Sequence, residues 1–302
     1  MKHVVSVSLG SSERDKSLEL KMFGDTILIE RIGTDGDMDK AAKLFRDLDG
    51  KVDAFGLGGA DLGMTVDNRY YPFHSTGNLI RYIHKTPVVD GMGLKSTLER
   101  KVADFLEQNL APHLGTFGRK AFFSTGTDRW GLCQPFATSG YECIFGDLMF
   151  VLGLPIAMRS VDTLLTVTKI FAPVVTLLPF KWLYPLNKNS SIRKPRFEKY
   201  YQWATVIAGD CIYLKKYLPK KLIDGKIIVT NTTTPDDLDL FRKAGVQYLI
   251  TTTPVYEGRS FGTNMIEAVM VAISGLNRKL SHDELNHMIN EMEIGPQIQR
   301  LN

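Results

Sequence analysis

The sequence predicts an α/β protein in two parts, because short apolar runs alternate along it with stretches that have the helical period. Glycines follow most of the short runs, as is usual where a buried strand turns into a loop. A segment with two glycines and a proline, residues 111–118, separates the first half of this pattern from the second. With 302 residues, 44% of them hydrophobic, each part has enough chain to bury a core.

The first part, residues 1–115, is expected to be a smaller α/β domain that holds the substrate. Its clearest helix begins after Asp37, a good N-cap residue, and ends before Gly50. The strand that contains Pro72 is expected at the edge of a sheet, because proline has no N–H to donate to a second neighbouring strand. The predicted strands are Thr26–Ile32, Val52–Leu57, an edge strand within Asp67–Phe73, and Thr86–Asp90, and the predicted helices are Met38–Leu48 and Leu94–Leu110.

The second part, residues 116–302, repeats the alternation more regularly. Six strands with a long connection after the third match a Rossmann-like, doubly wound parallel sheet of order 3-2-1-4-5-6. Ligands bind such sheets beyond the carboxyl ends of the strands, so the loops Thr125–Trp130 and Gly209–Ile212 should line a cleft. The predicted strands are Lys120–Thr125, Tyr141–Phe145, Pro155–Met158, Thr205–Ala208, Lys226–Thr230 and Gln247–Thr252.

Composition and charge narrow the class of protein. A net charge of +4 is too small to favour a nucleic-acid partner. The cysteines, Cys133, Cys143 and Cys211, are odd in number and lack metal-type spacing, so we expect buried reduced thiols in a cytoplasmic protein. None of the six histidines shows metal spacing, and no metal site is predicted. The N-terminal apolar stretch is too short for a signal peptide.

One region is unusually apolar. Residues 148–187 carry only four charged side chains, but four prolines interrupt the run, which favours a buried or dimer-forming helical segment over a membrane span. The adjoining segment, residues 181–200, has six basic residues and one acidic residue. A solvated loop, a lid over an acidic ligand, and a weak membrane contact through residues 148–200 all stay open, as does a homo-oligomer.

A glycine loop follows the first strand of the second part. Gly126 and Gly131 supply two of the three glycines of a dinucleotide fingerprint, and Asp147 lies 21 positions after Gly126, where an acidic residue would bind the ribose. Exposed amides in this loop and a helix N-terminus suit a pyrophosphate, although a plain helix N-cap is the alternative. The candidate cofactor-binding residues in and after the loop are Gly126, Thr127, Asp128, Arg129, Gly131 and Asp147.

Further candidates lie at other strand ends. Asn231 and Thr232 begin a threonine run that suits a ribose, an amide or a sugar, with loop hydrogen bonds and helix capping as the alternative. Arg259 suits an acidic group of the substrate. Asp61 and Asp90 follow strands of the first part, so with Lys95 they would meet in a cleft between the domains. A Lys95–Asp61 pair would transfer a proton, and Asp90 would bind the substrate. The alternative is a solvated surface pair of Lys95 with Glu99.

The chain resembles bacterial proteins labelled quinate 5-dehydrogenase and, more distantly, the shikimate/quinate dehydrogenases. The residues that carry the resemblance are Asp128-Arg-Trp-Gly131, Phe145-Gly-Asp-Leu-Met-Phe150, Leu183-Tyr-Pro185, Gly209-Asp210 and Gly258-Arg-Ser-Phe-Gly-Thr-Asn264. The Asn-Val-Thr-x-Pro-x-Lys and Asn-Thr-Asp-x-x-Gly segments of shikimate dehydrogenases are absent, so Lys95 and Asp61 are analogous in role only.

The resemblance implies an NAD(P)-dependent oxidoreductase that acts on a small hydroxy or oxo acid of the quinate or shikimate kind. NAD is expected over NADP because Asp147 would bind the ribose hydroxyls. The alternative is a nucleotide-binding regulatory protein, or a membrane-peripheral one, that keeps the Rossmann-like fold without dehydrogenase turnover.

Overall fold

The structure is a computed structural model that describes residues 1–180, 195–253, 255–256 and 259–302. Two separate, largely parallel sheets with helices packed against them form its framework, which confirms the predicted α/β class with its Rossmann-like second part. The first sheet lies within residues 2–89 and the second within residues 120–300.

The first sheet has the order β2-β3-β1-β4-β7, and only β2 is antiparallel to its neighbour. The hairpin β5–β6 stands apart from it. The predicted helix from Met38 to Leu48 is confirmed, and the Asp37 side chain accepts from the Lys40 amide as its cap. The strands are β1 (Lys2–Ser8), β2 (Lys16–Met22), β3 (Asp25–Gly33), β4 (Ala54–Gly58), β5 (Gly63–Val66), β6 (Arg69–Pro72) and β7 (Val88–Val89).

The helices of this half are α1 (Met38–Leu48), α2 (His74–Ile80), α3 (Met92–Ser96) and α4 (Val102–Phe117). The single long helix predicted over Leu94–Leu110 is wrong. A 3-10 turn at Leu98–Lys101 separates α3 from α4, and Thr97 leaves the helical path with φ −118° and ψ −66°. The break lets the two helices point in different directions from the end of the first sheet.

The second sheet has the order β15-β12-β11-β10-β8-β9. Its parallel strands therefore run 2-1-3-4-5 in chain order, with β15 antiparallel at the edge, so the predicted order 3-2-1-4-5-6 is wrong. Pro155–Met158, the third predicted strand, makes only one bridge, between Phe145 and Met158. Pro155 has no N–H to extend that pairing. The strands are β8 (Lys120–Phe123), β9 (Glu142–Phe145), β10 (Val206–Ala208), β11 (Lys226–Thr230), β12 (Val246–Thr251), β13 (Val255–Tyr256), β14 (Arg259–Ser260) and β15 (Gln297–Arg300).

Eight further helices are described after β8, and at least one of them packs on the first sheet. The helices are α5 (Trp130–Thr138), α6 (Asp147–Phe150), α7 (Val161–Val175), α8 (Glu198–Trp203), α9 (Cys211–Tyr217), α10 (Pro235–Lys243), α11 (Thr263–Ser274) and α12 (His282–Glu291). Helix α11 lies between β12 and β15 of the second sheet in sequence but packs on the first sheet, where Ile266 and Val269 share a core with Val4. The C-terminal part of the chain therefore contacts both sheets, since α11 packs on the first and β15 belongs to the second.

The apolar segment forms α7, which spans from one half of the protein to the other. Leu164 packs in the core of the second sheet, while Ala172 packs against Met64 and Val66 of the hairpin. Within the described ranges, no helix is long and apolar enough to cross a membrane. Most of the basic segment 181–200 lies outside the described residues, so its predicted roles are not addressed by the fold.

Candidate functional site

Each sheet reverses its strand order between two neighbouring parallel strands. In the first sheet the reversal lies between β1 and β4, and in the second between β8 and β10. The loops Thr125–Trp130 and Gly209–Ile212 follow β8 and β10 and are joined by an ion pair, so their predicted position at the switch point is confirmed. Loops from the reversal of the first sheet meet them through Lys95, and we call this meeting place the cleft.

Lys95 joins the ends of the two sheets. Its Nζ lies 2.9 Å from Asp61 Oδ1, just beyond β4, and 2.9 Å from Asp128 Oδ1, just beyond β8. Lys95 is buried, whereas the side chains of Asp61 and Asp128 are 18% and 31% exposed. The predicted meeting of Lys95 with Asp61 is therefore confirmed, and the alternative of a solvated surface pair with Glu99 is wrong.

Arg129 extends this contact to Glu99 and to the loop that follows β10. Its guanidinium pairs with the buried Glu99 carboxylate through Nη1, and its Nη2 lies 3.3 Å from Asp210 Oδ2. Its Nε lies 3.3 Å from Asp128 Oδ2, which links the two cations through one carboxylate. We call the six side chains the ionic cluster, and they are Asp61, Lys95, Glu99, Asp128, Arg129 and Asp210.

The charges of the ionic cluster do not cancel. Four carboxyl groups share two cations. Burial raises the pKa of Asp61 to about 6, although Lys95 opposes that shift, and burial also raises the pKa of Glu99. Burial disfavours the charge of Lys95, but the neighbouring carboxylates raise its pKa overall. The cluster thus keeps its cations charged and retains an excess of acidic groups.

Several buried polar atoms near the ionic cluster have no hydrogen-bond partner among the described residues. Among the described residues, Glu99 Oε2, Ser124 Oγ and Thr125 Oγ1 are buried without a hydrogen-bond partner. Ser124 and Thr125 continue β8 into the cleft, and a Cβ on Gly209 would come within 1.9 Å of Ser124 Oγ. Gly209 has φ +153° and ends β10, so only glycine lets the two strand ends approach this closely. Unsatisfied buried polar atoms indicate a place for a ligand or for water.

Aromatic side chains border the same carboxylates. Burial raises the pKa of Tyr213, and the nearby Asp210, Asp128 and Asp61 raise it further. Burial and the acidic groups Asp90 and Asp61 raise the pKa of Tyr70. The sequence reasoning missed both tyrosines; the position of Tyr213, one residue past the predicted loop Gly209–Ile212, is the signal that points to it.

The glycine loop is occupied from within the chain. The Asp147 carboxylate accepts from the amides of Gly126, at 2.8 Å, and Thr127, at 2.9 Å, and from the Thr127 hydroxyl at 2.5 Å. Asp147 is buried beneath the loop, and burial raises its pKa against these hydrogen bonds. The amides that a pyrophosphate would need are engaged, so the loop does not fit a dinucleotide in this arrangement.

Gly131 has a packing role that the sequence could not reveal. A Cβ on Gly131 would lie 1.9 Å from the backbone oxygen of Lys95, so glycine is needed for α5 to approach α3. That approach brings Asp128 and Arg129 to Lys95 and Glu99. Asp128 directs its carboxylate at Lys95 and Arg129 rather than capping α5.

The remaining predicted site residues are placed differently. Asn231 donates from Nδ2 to Asp210 Oδ2 at 3.0 Å, so it orients a member of the cluster, and Thr232 is half-buried in the loop after β11. Asp90 accepts hydrogen bonds from the amides of Leu62 and Met92, so its carboxylate stabilises the backbone of the loops after β4 and β7. Arg259 lies in β14, and its side chain is outside the described part of the structure.

Comparisons with solved structures give low similarity. A glucose-galactose binding protein from Geobacillus stearothermophilus is 9% identical over 99% of this chain and 97% of its own, with a TM-score of 0.36. A galactofuranose binding protein is 11% identical over 97% and 99%, with a TM-score of 0.35. A sugar ABC transport substrate-binding protein from Bordetella parapertussis 12822 is 9% identical over 91% and 80%, with a TM-score of 0.33. These values identify no ligand for this chain.

The predicted function of an NAD(P)-dependent oxidoreductase is wrong. The finding against it is the glycine loop, whose Gly126 and Thr127 amides already donate to Asp147. The resemblance to proteins labelled quinate 5-dehydrogenase stays a resemblance that the structural matches do not test.

Matches at the level of sequence families are the most specific. No curated protein matches the chain. Residues 3–90 match a model described as a domain of unknown function, DUF8753. Residues 93–301, well over half of the chain, match a second model described as a domain of unknown function, DUF8754, and the chain therefore belongs to the DUF8754 family.

Proposed function

We propose that the cleft binds a small polyhydroxylated ligand of the carbohydrate type. The observation that carries the proposal is the ionic cluster, in which acceptors and donors from both sheets alternate beside buried polar atoms that have no partner among the described residues. A sugar hydroxyl donates one hydrogen bond and accepts others, so it pairs with a carboxylate and a neighbouring ammonium or guanidinium at once. Tyr70, which is 56% exposed, and the half-buried Tyr213 would add aromatic surface of the kind that packs on the apolar face of a sugar ring.

Charge argues against an anionic ligand in this cleft. Asp61, Asp128 and Asp210 are its partly exposed charged groups, while Lys95 and Arg129 are buried and already paired. A phosphate or carboxylate would approach the exposed carboxylates first and be repelled. A neutral ligand with several hydroxyls meets acceptors at the same positions. The proposal therefore replaces the acidic substrate expected from the sequence with an uncharged one.

The position of the cleft supports a binding role that couples the two halves of the protein. Asp61 comes from the first sheet and Asp128 from the second, and Lys95 holds both. A ligand that contacts both carboxylates would stabilise the contact between the two sheets and raise the free energy of unfolding as its concentration increases.

A thermal-shift screen followed by calorimetry tests the proposal. The panel contains neutral monosaccharides and polyols, with NAD, NADP, quinate and shikimate as the competing class. We expect at least one neutral sugar to raise the melting temperature and to bind with a measurable heat, and Asp210→Asn to weaken that binding by about tenfold. The matched control, Asp236→Asn at an exposed position on α10, should bind as the wild-type chain does.

The result that overturns the proposal is equally specific. If no neutral sugar or polyol binds, or if binding is unchanged in Asp210→Asn, the cleft does not have the assigned role. Tight binding of NAD or NADP alone would also contradict it.

A further inference from the structure

Exposed apolar side chains concentrate in one short region of the protein. Of the sixteen large hydrophobic residues that are exposed among the described residues, eight lie within 151–177. Four are in the loop before α7, at positions 151, 152, 154 and 156. The other four are Ile170, Phe171, Val174 and Leu177, which we call the outer face of α7. Clusters of this kind mark surfaces that contact something else.

The outer face is presented on a firmly anchored helix. Leu164, Thr168 and Ala172 recur every four residues and are buried, so they form the inner side of α7. Ile170, Val174 and Leu177 recur on the opposite side and are 62%, 61% and 66% exposed. The Thr176 carbonyl accepts from the His74 amide at 3.1 Å, which fixes the end of the helix on the first half of the protein. The outer face therefore stays largely exposed on a helix that is anchored by its other side.

The region of the outer face has an excess of basic side chains. The described residues within 148–200 include four basic and two acidic side chains, and 4 − 2 gives +2. Lys169 lies on α7 next to Ile170, and Arg196 and Lys199 are described basic residues later in the same region. Apolar side chains beside excess positive charge fit the interface of a membrane with anionic headgroups. Two copies of this face would instead bring like charges together.

We infer that the outer face of α7 docks the protein on an anionic membrane surface. Ile170, Val174 and Leu177 would enter the boundary between headgroups and acyl chains, with the helix lying parallel to the surface. The basic side chains around it would remain at headgroup level. This contact is peripheral and leaves both sheets outside the bilayer.

Co-sedimentation of the full chain with vesicles tests the inference. We expect binding to phosphatidylcholine vesicles that contain about 30% phosphatidylserine, at least about tenfold weaker binding to phosphatidylcholine alone, and release near 0.5 M salt. The variant Ile170→Asn/Val174→Asn/Leu177→Asn should lose at least about tenfold in vesicle binding. The matched control Ile223→Asn/Leu276→Asn changes exposed apolar residues elsewhere and should bind as wild type.

Urea unfolding of each variant separates docking from folding, and Val174→Asn alone replaces the triple variant if the latter is destabilised. Equal binding of wild type to both kinds of vesicle, or no binding to either, overturns the inference. So does a dimer in sedimentation velocity that the outer-face variant abolishes, because the occupant would then be a second copy.

Discussion

The protein has two groups of carboxyl side chains with little exposure, one between the two sheets and one beside the first sheet. Their charges are compensated in different ways. In the ionic cluster, Glu99 and Asp128 are paired with cations, and oxygen atoms remain without partners among the described residues. On α11, which packs on the first sheet, Glu267 lies near Asp90. Backbone amides donate to both carboxyl groups, from Leu94 to Glu267 and from Leu62 to Asp90.

The difference separates a candidate binding site from a structural contact. Burial and the nearby Asp90 raise the pKa of Glu267 to about 8, so this carboxyl is protonated and neutral at neutral pH. The ionic cluster keeps charges that a ligand can meet, and it connects two sheets rather than one. Burial of an acidic group is therefore a weak sign of function, and the identity of its partners decides which role it has.

The largest effect should follow from breaking the Arg129–Glu99 pair. Arg129→Met leaves the buried Glu99 carboxyl without its cation and should lower the free energy of unfolding by about 3–5 kcal/mol. Urea denaturation measures the loss, with Arg242→Met, on the exposed side of α10, as the control. A loss below about 1 kcal/mol would mean that the pair does not hold the cleft together.

Removal of the Glu267 charge should have the next largest effect, and it depends on pH. Since the folded pKa is raised above the ordinary value of 4.5, its contribution to stability is complete below about pH 4.5 and is lost as pH rises to about 8. The free energy of unfolding should fall over that window by about 4 kcal/mol more in wild type than in Glu267→Gln. Parallel pH profiles of the two proteins would show that Glu267 is ionised in the fold.

Asp147 should behave as a structural residue of the glycine loop. Asp147→Ala removes three hydrogen bonds and leaves the Gly126 and Thr127 amides without their acceptor, so unfolding should be easier by about 2 kcal/mol. Sugar affinity should change little, because the carboxylate lies beneath the loop. Chemical denaturation and calorimetry on the same samples test both parts, and a large loss of affinity with unchanged stability would refute this role.

The smallest effect concerns pH and ligand affinity at Asp61. With its pKa near 6, this carboxyl gains a proton as the pH falls from 7.5 to 5 and accepts hydrogen bonds less well. Affinity for the neutral ligand should fall by about tenfold, and Asp61→Asn should remove that dependence. The fold itself is not weakened by this proton, because a raised carboxyl pKa favours the protonated folded state at low pH. Calorimetry at several pH values measures the affinity, and an unchanged slope in Asp61→Asn would assign the proton elsewhere.

Local determinants of the fold are readable in the sequence. Asp37 predicts where α1 begins because its side chain needs only the next turn of the helix, and glycines mark the strand ends at the switch points. The meeting of Lys95 with Asp61 was also predictable, because both follow strands whose carboxyl ends share an edge. Each of these inferences depends on one or two neighbouring elements.

Features that depend on close tertiary approach were not predictable. The pairing of Glu99 with Arg129 joins residues 30 positions apart and requires α5 to touch α3, which Gly131 permits. The predicted order of the second sheet was wrong because it counted Pro155–Met158 as a strand. Periodicity alone does not show whether a run of four residues that contains a proline is a strand. Asp147 has the sequence spacing of a ribose ligand, yet its carboxylate lies under the loop that it follows.

Hydrogen exchange with and without the best-binding sugar of the panel tests the central claim most directly. A ligand in the cleft should slow exchange in the loops that follow β4, β8 and β10, with the strongest protection in residues 124–131. The reference region is a surface depression of about 300 Å³ lined by Lys101, Asp104, Phe105, Gln108 and Pro296. Protection of the cleft loops with unchanged exchange at that depression is the predicted result. Protection confined to the depression, with unchanged exchange in residues 124–131, would contradict it.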